Sequence, residues 1–234
     1  MKKYSILVIS VLAFSSSLFA QNNSAISEQR DLRNFAAISL NIPAEVTLKQ
    51  GDYAFSVSAS ADVLEKLKTE VKNNELVIKF ENSSHMETKE PIRIEITLPS
   101  ITALEVNGSG EFISSGSFNS DNLNLEINGS GKISLSSLTT KKLAAEINGS
   151  GRIADLNGTA NEVKMQVNGS GEISTINFLG KNVECAVTGS GHISVGAGES
   201  LDAKVTGSGD IHYAGSPNKK DVSVIGSGTI SAMN

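Results

Sequence analysis

From residue 121 onward, apolar residues fall on alternate positions in short bursts, and the bursts recur. Leu123, Leu125 and Ile127 are followed by Leu143, Ala145 and Ile147, then by Val163, Met165 and Val167. Val183, Cys185 and Val187 come next, then Leu201, Ala203 and Val205. Alternation at period two marks one face of a β-strand. The residues between them, such as Asn124 and Glu126, Ala144 and Glu146, or Lys164 and Gln166, are mostly polar and face outward. Each burst runs into Gly-Ser-Gly. The tripeptide starts at Gly108, Gly129, Gly149, Gly169, Gly189, Gly207 and Gly226, at spacings of 21, 20, 20, 20, 18 and 19 residues. One variable residue follows, then Phe112, Ile133, Ile153, Ile173, Ile193, Ile211 or Ile230. The unit is strand, tight corner, strand and a looser return.

Such a unit cannot bury its apolar face alone, but a stack of them can, each strand pairing with its equivalent one coil away. The period predicts an all-β fold, a parallel β-helix with coils of about 20 residues. The corners are Asn107, Gly108 and Gly110; Asn128, Gly129 and Gly131; Asn148, Gly149 and Gly151; Asn168, Gly169 and Gly171. Gly189 and Gly191, Gly207 and Gly209, and Gly226 and Gly228 close the later coils. A corner repeated in register needs one backbone shape throughout, with positive φ at one glycine. The preceding asparagines are expected to stack as an amide ladder, which gives way to Thr188, Thr206 and Ile225. A leucine-rich repeat is the runner-up fold. Its asparagine spacing does not match, and returns such as "SLSSLTTKK" are too short and too rich in Ser and Thr for a helix.

Ahead of the array, residues 28–100 read as a β-rich region carrying one short helix. "FAAISL", "AEVTLKQ", "YAFSVSA", "LVIKF" and "IRIEITL" have strand length and alternation, and "SADVLEKLKTEV" reads as one or two helical turns. "GD" at 51–52 and "NNE" at 73–75 mark turns, and 81–91 is a polar loop. This region is expected to form the first irregular coils of the same stack and to cap one end; 101–234 is the repeat array. Residues 21–27 are expected to be flexible. Residues 1–20 have the basic start, apolar run and small-residue finish of a signal peptide, with Ala20 the last residue removed. No later segment is apolar enough to span a bilayer, so the cleaved chain is not expected to be an integral membrane protein.

The 234-residue chain has a formal charge of −5, which becomes −7 once Lys2 and Lys3 leave with the signal. An acidic chain is a poor nucleic-acid partner. Cys185 is the single cysteine, so no internal disulfide forms, and its inward phase makes it a small core residue.

The run from "RDLRNFAAISLNIPAEVTLKQ" to "ELVIKF", followed by the serial strands that begin at "LPSITALEVNGSG", resembles the head GIN domain family of bacterial exported proteins. That family is described as autotransporter-type adhesins. The resemblance covers roughly residues 30–234. It implies a right-handed parallel β-helix without the catalytic residues of pectin-lyase-like proteins, and cell adhesion as the function. No translocator barrel is expected after Asn234.

The chemical candidates are sparse. Glu105, Glu126 and Glu146 share one outward position on successive coils and form a weak cation candidate. Lys132 and Arg152 lie one corner away, where they could neutralise Glu126 and Glu146. The residues after Gly-Ser-Gly (Glu111, Lys132, Arg152, Glu172, His192, Asp210 and Thr229) read as a ladder of complementary charges that helps fix register. His85, His192 and His212 share no metal spacing: His212 lies two steps out of phase with His192. Asp155 and Asp210 come nearest to breaking the repeat, but no carboxylate pair stands out as an acid–base couple. Of the array's aromatics, Phe112 belongs to the core, while Phe118 and Phe178 either face solvent or fill the third side. No cofactor is expected.

The reading is an exported, non-enzymatic β-helical protein of the periplasm or cell surface that binds a cell-surface glycan or protein. A structural, self-assembling envelope protein, associating through the uncapped β-helix end, ranks second. A polysaccharide-active enzyme ranks third.

Overall fold

A computed structural model describes residues 25–81 and 90–233. The expected signal peptide and nearly all of the polar loop 81–91 lie outside these residues. Strand β1, Ile26–Gln29, pairs antiparallel with β4, Ala54–Ala59, so Ile26 and Ser27 belong to a strand rather than to a loose leader. Strands β2 (Ala37–Leu40) and β3 (Ala44–Gln50) follow. Helix α1 is confined to Ala61–Lys66. The second half of the predicted helical segment is instead β5, Leu67–Lys72, paired antiparallel with β6, Glu75–Phe80. The turn decides this: Asn73 and Asn74 both take positive φ, 52° and 65°. Two consecutive positive-φ residues close a two-residue hairpin. Strand β7, Ile92–Leu98, completes the N-terminal region.

Strand β8, Ala103–Gly108, opens the array, followed by β9 (Glu111–Gly129), β10 (Lys132–Gly149), β11 (Arg152–Ala154) and β12 (Gly158–Gly169). Then come β13 (Glu172–Gly189), β14 (His192–Gly207), β15 (Asp210–Ala214), β16 (Lys219–Gly226) and β17 (Thr229–Ala232). The array strands pair in parallel with their equivalents one coil away, residue for residue: Leu123 with Leu143, Leu143 with Val163, Val163 with Val183 and Val183 with Leu201. This is a parallel β-solenoid.

The N-terminal strands belong to the same stack, but not in chain order. Strand β2 lies between β6 and β8, and β3 between β7 and β9, all in parallel. The first coil written in the sequence is therefore an inner coil. The chain returns over it before the array begins. Antiparallel β4 then lies against β7 and β1 against β4, while β5 flanks β6.

One continuous core runs through the stack, from Phe35 and Ile38 through Leu125, Ile147 and Met165 to Ile211. Phe118 and Phe178 are fully buried, so the third side of the coil is packed from within. The corners keep their ladder. Ser130 N donates to Gly108 O and Ser150 N to Gly129 O, each at 2.8 Å. The first glycine of every corner has positive φ, for instance +133° at Gly129. The second glycine is required for a different reason: a Cβ on Gly131 would lie 2.5 Å from Val106 Cγ1.

Candidate binding groove and flanking ladders

The bend between the return strand and the strand leading to each corner forms a groove along the stack, of about 620 Å³. Its floor is the aliphatic row Leu123, Leu143, Val163 and Val183, which the alternating pattern turns inward. One rim carries Asn122, Lys142, Glu162, Asn182 and Ser200. The other carries Asn124, Ala144, Lys164, Glu184 and Asp202. The charges on these rims are largely closed on themselves. Lys142 Nζ lies 2.7 Å from Glu162 Oε2, and Lys164 Nζ lies 2.8 Å from Glu184 Oε1. The hydrogen bond to Glu184, and then that carboxylate's charge, hold the Lys164 ammonium above its ordinary pKa. Ser200 Oγ donates to Asn182 Oδ1 at 2.7 Å. A second concavity, also about 620 Å³, shares Thr102 and Asn122 and extends over Asp121, Thr140 and Lys141. The alternating pattern turns Asn124, Ala144 and Lys164 outward but does not by itself reveal the groove. Its signal was faint: the polar residues on either side of one recurring aliphatic position.

The three glutamates of the weak cation candidate each accept a hydrogen bond from the asparagine two residues on. Glu105 Oε1 accepts from Asn107 Nδ2 at 2.8 Å, Glu126 Oε1 from Asn128 at 2.9 Å, and Glu146 Oε1 from Asn148 at 3.1 Å. Each amide also donates to the next asparagine oxygen: Asn128 to Asn107 at 3.1 Å, Asn148 to Asn128 at 3.1 Å, Asn168 to Asn148 at 2.9 Å. The ladder starts one coil earlier than the repeat shows, because Asn107 donates to Asn41 Oδ1 at 3.0 Å. Asn41 precedes Ile-Pro rather than Gly-Ser-Gly, so only the stacking reveals its role. Lys132 and Arg152 do not reach back across the corner to Glu126 and Glu146. They pair along their own column, Lys132 with Glu111 at 2.7 Å and Arg152 with Glu172 at 2.5 Å. A neighbour one coil away stands nearer than one around a corner.

Cys185 is buried, and that burial, helped by the charges of Glu184 and Asp202, pushes its thiol up to about 12. Asp155 accepts from Ser134 Oγ at 2.8 Å, and Asp210 accepts from Thr229 N at 3.0 Å and Oγ1 at 2.6 Å. Each is engaged by its own neighbour. Among the described residues no group of three or more His, Cys, Asp or Glu could hold a metal ion. The rings of His192 and His212, out of phase along the strands, nevertheless meet diagonally, with centroids 4.7 Å apart. No helix among the described residues is long and apolar enough to cross a membrane.

Residues 34–217 match the model of the family described as "Putative auto-transporter adhesin, head GIN domain". The chain belongs to this family. Among solved structures, the head GIN domain of this chain is similar to a "putative adhesin" from Bacteroides fragilis NCTC 9343. The two are 28% identical with a TM-score of 0.85, over 90% of this chain and 97% of that one. It is also similar to a "Putative lipid binding protein" from Parabacteroides distasonis ATCC 8503, at 26% identity and TM-score 0.74, over 91% and 98% of the two chains. A "putative adhesin" from Parabacteroides merdae ATCC 43184, 19% identical with a TM-score of 0.72 over 91% and 98%, shares the fold. No match is found among the curated proteins. Family and fold together point to a non-enzyme.

Proposed function

We propose that this head GIN domain is an exported, adhesin-type binding module, and that its lateral groove takes an extended, uncharged glycan chain of a cell surface. The observation that carries the reading is the pairing of the groove's cations. Both lysines on its rims are ion-paired, Asp202 is the one rim charge outside these pairs, Asn182 and Ser200 bond each other, and Asn122 and Asn124 are left to form hydrogen bonds over an aliphatic floor. An anionic lipid headgroup wants a free cation, which these rims do not offer. The lipid binding in the name of the Parabacteroides distasonis relative is therefore the weaker expectation here. Phe112, Phe118, Phe178 and Tyr213 are all buried, so sugar recognition would rest on hydrogen bonds and aliphatic contact rather than on ring stacking.

A glycan array probed with the mature chain tests the ligand. Neutral glycans should bind, binding should survive added salt, and Ala144→Trp, which fills the groove, should abolish it. Binding untouched by Ala144→Trp would move the site elsewhere. Antibody labelling of intact against permeabilised cells tests the location, and labelling only after permeabilisation would overturn the surface reading.

A second reading, self-assembly, is favoured by the last coil. Strand β16 is exposed along its length, with Val222 51%, Val224 42% and Ile225 60% exposed. Val222 and Val224 continue the inward column of Ala203 and Val205. Antiparallel strands cover the opposite end of the stack, so the occupant that fits is a second copy meeting this coil about a two-fold axis. Sedimentation equilibrium should then show a dimer that Val224→Lys dissociates. A monomer mass at every concentration refutes it.

A further inference from the structure

On a flank separate from the groove, the coil corners bring together two histidines that no ion pair or catalytic arrangement uses. His192 opens β14, and His212 stands two residues into β15, one coil further. Register places His192 beside Asp210 and Ser194 beside His212. The rings meet edge to face, with centroids 4.7 Å apart and planes at 67°. Imidazole nitrogens bind zinc at about 2.0–2.1 Å, which puts each ring centroid about 3.2 Å from the metal. Two such rings at angles between octahedral and tetrahedral have centroids about 4.5–5.2 Å apart. The observed centroid separation falls inside that range.

We infer that His192 and His212 form a two-imidazole chelate for a divalent transition-metal ion of the zinc or nickel type. His212 Nδ1 is 2.8 Å from Ser231 Oγ. A ring held at one nitrogen presents the other, the usual second contact of a metal-binding histidine. Nε2 is then the ligating atom of His212. Asp210 stands beside His192 in register and two residues before His212, and adds negative charge to the site. Glu172, next to His192 on the other side, is held by Arg152 and does not compete. Nitrogen donors select a borderline transition metal over calcium or magnesium, which want oxygen. With two protein ligands, water fills the remaining positions.

The test uses the full mature chain, stripped with chelator and titrated with Zn²⁺ against a weak chromophoric competitor. Ring ¹⁵N NMR identifies the bound nitrogens. One Zn²⁺ per chain is expected, with shifts at both rings and at Nε2 of His212. His192→Gln and His212→Gln should each lower affinity by more than tenfold, and Ser231→Ala by about tenfold. His85→Gln should change nothing. Thermal unfolding of each metal-free variant should match the parent, because the rings lie at the surface. Unchanged affinity in either His192→Gln or His212→Gln, or loss of binding in His85→Gln, overturns the assignment. So does NMR perturbation of one ring alone. Because the groove plays no part, the glycan reading stands or falls separately.

Discussion

Replacing Gly129 by alanine separates two costs that the corner imposes. The first is conformational. Gly129 has φ +133°, a region essentially closed to residues with a Cβ, at a cost of about 1–3 kcal/mol. The second is steric. An added Cβ would stand 2.6 Å from Gly108 O and 3.2 Å from Gly108 C and Cα, all backbone atoms that cannot swing away. Relief means parting the two coils at the corner. That stretches the 2.8 Å bond from Ser130 N to Gly108 O, worth about 1 kcal/mol. The total for Gly129→Ala is then about 2–4 kcal/mol. Gly108 isolates the first cost: its φ is +118°, but nothing lies within 4 Å of an added Cβ. Gly108→Ala should therefore cost about 1–3 kcal/mol. Gly116 carries neither: its φ is not positive, and a Cβ would meet only Ser114 Oγ at 3.9 Å. Gly116→Ala should be neutral or stabilise by about 0.4–1 kcal/mol. Urea unfolding followed by far-ultraviolet circular dichroism, compared at equal slope, should rank the three in that order. Equal losses for Gly129→Ala and Gly108→Ala would remove the steric argument. A Gly129→Ala chain as stable as the parent would remove both.

Three further outcomes follow from the ladders and the buried thiol. Asn128→Ala breaks bonds to Asn107, Glu126 and Asn148 and should cost about 1–2 kcal/mol, partial exposure reducing the sum. Asn168→Ala, at the ladder's end, should cost less in the same unfolding assay, and the reverse ranking would contradict the stacking account. Cys185, with its thiol pushed up to about 12, should ignore a disulfide reagent at pH 8 until the chain unfolds. Prompt labelling of the native chain would contradict its placement in the core. Asp210 has a lowered folded pKa, so its stabilising contribution is complete above the unfolded carboxyl value of about 3.9 and is lost as pH falls through the lowered folded value. Thr229→Val should raise the Asp210 carboxyl titration seen by NMR, and an unmoved titration would refute the assignment.

Much of the fold is legible in the repeats because a solenoid is nearly one-dimensional: what one coil does, the next repeats. Period-two alternation of Leu143, Ala145 and Ile147 fixes which side chains point inward, and a shared period of twenty fixes which strands pair. The need for positive φ at a glycine follows from the same reasoning, because the corner backbone must recur unchanged. Phe118 and Phe178 were not decided by it. They lie in the variable return, where the pattern is weakest, and only packing shows that they fill the third side.

The tertiary structure alone decided three things. It set the order of the N-terminal coils, because β2 and β3 pair on both edges with strands distant in the chain, and no local pattern encodes a partner. It set the use of the charges. Glu126 binds the Asn128 amide two residues on, and Lys132 binds Glu111 one coil away, since inter-strand distance rather than sequence separation governs which groups meet. It also created the groove and the His192–His212 contact. Both arise diagonally or at a bend between coils, where side chains two steps out of phase in the sequence become neighbours in space.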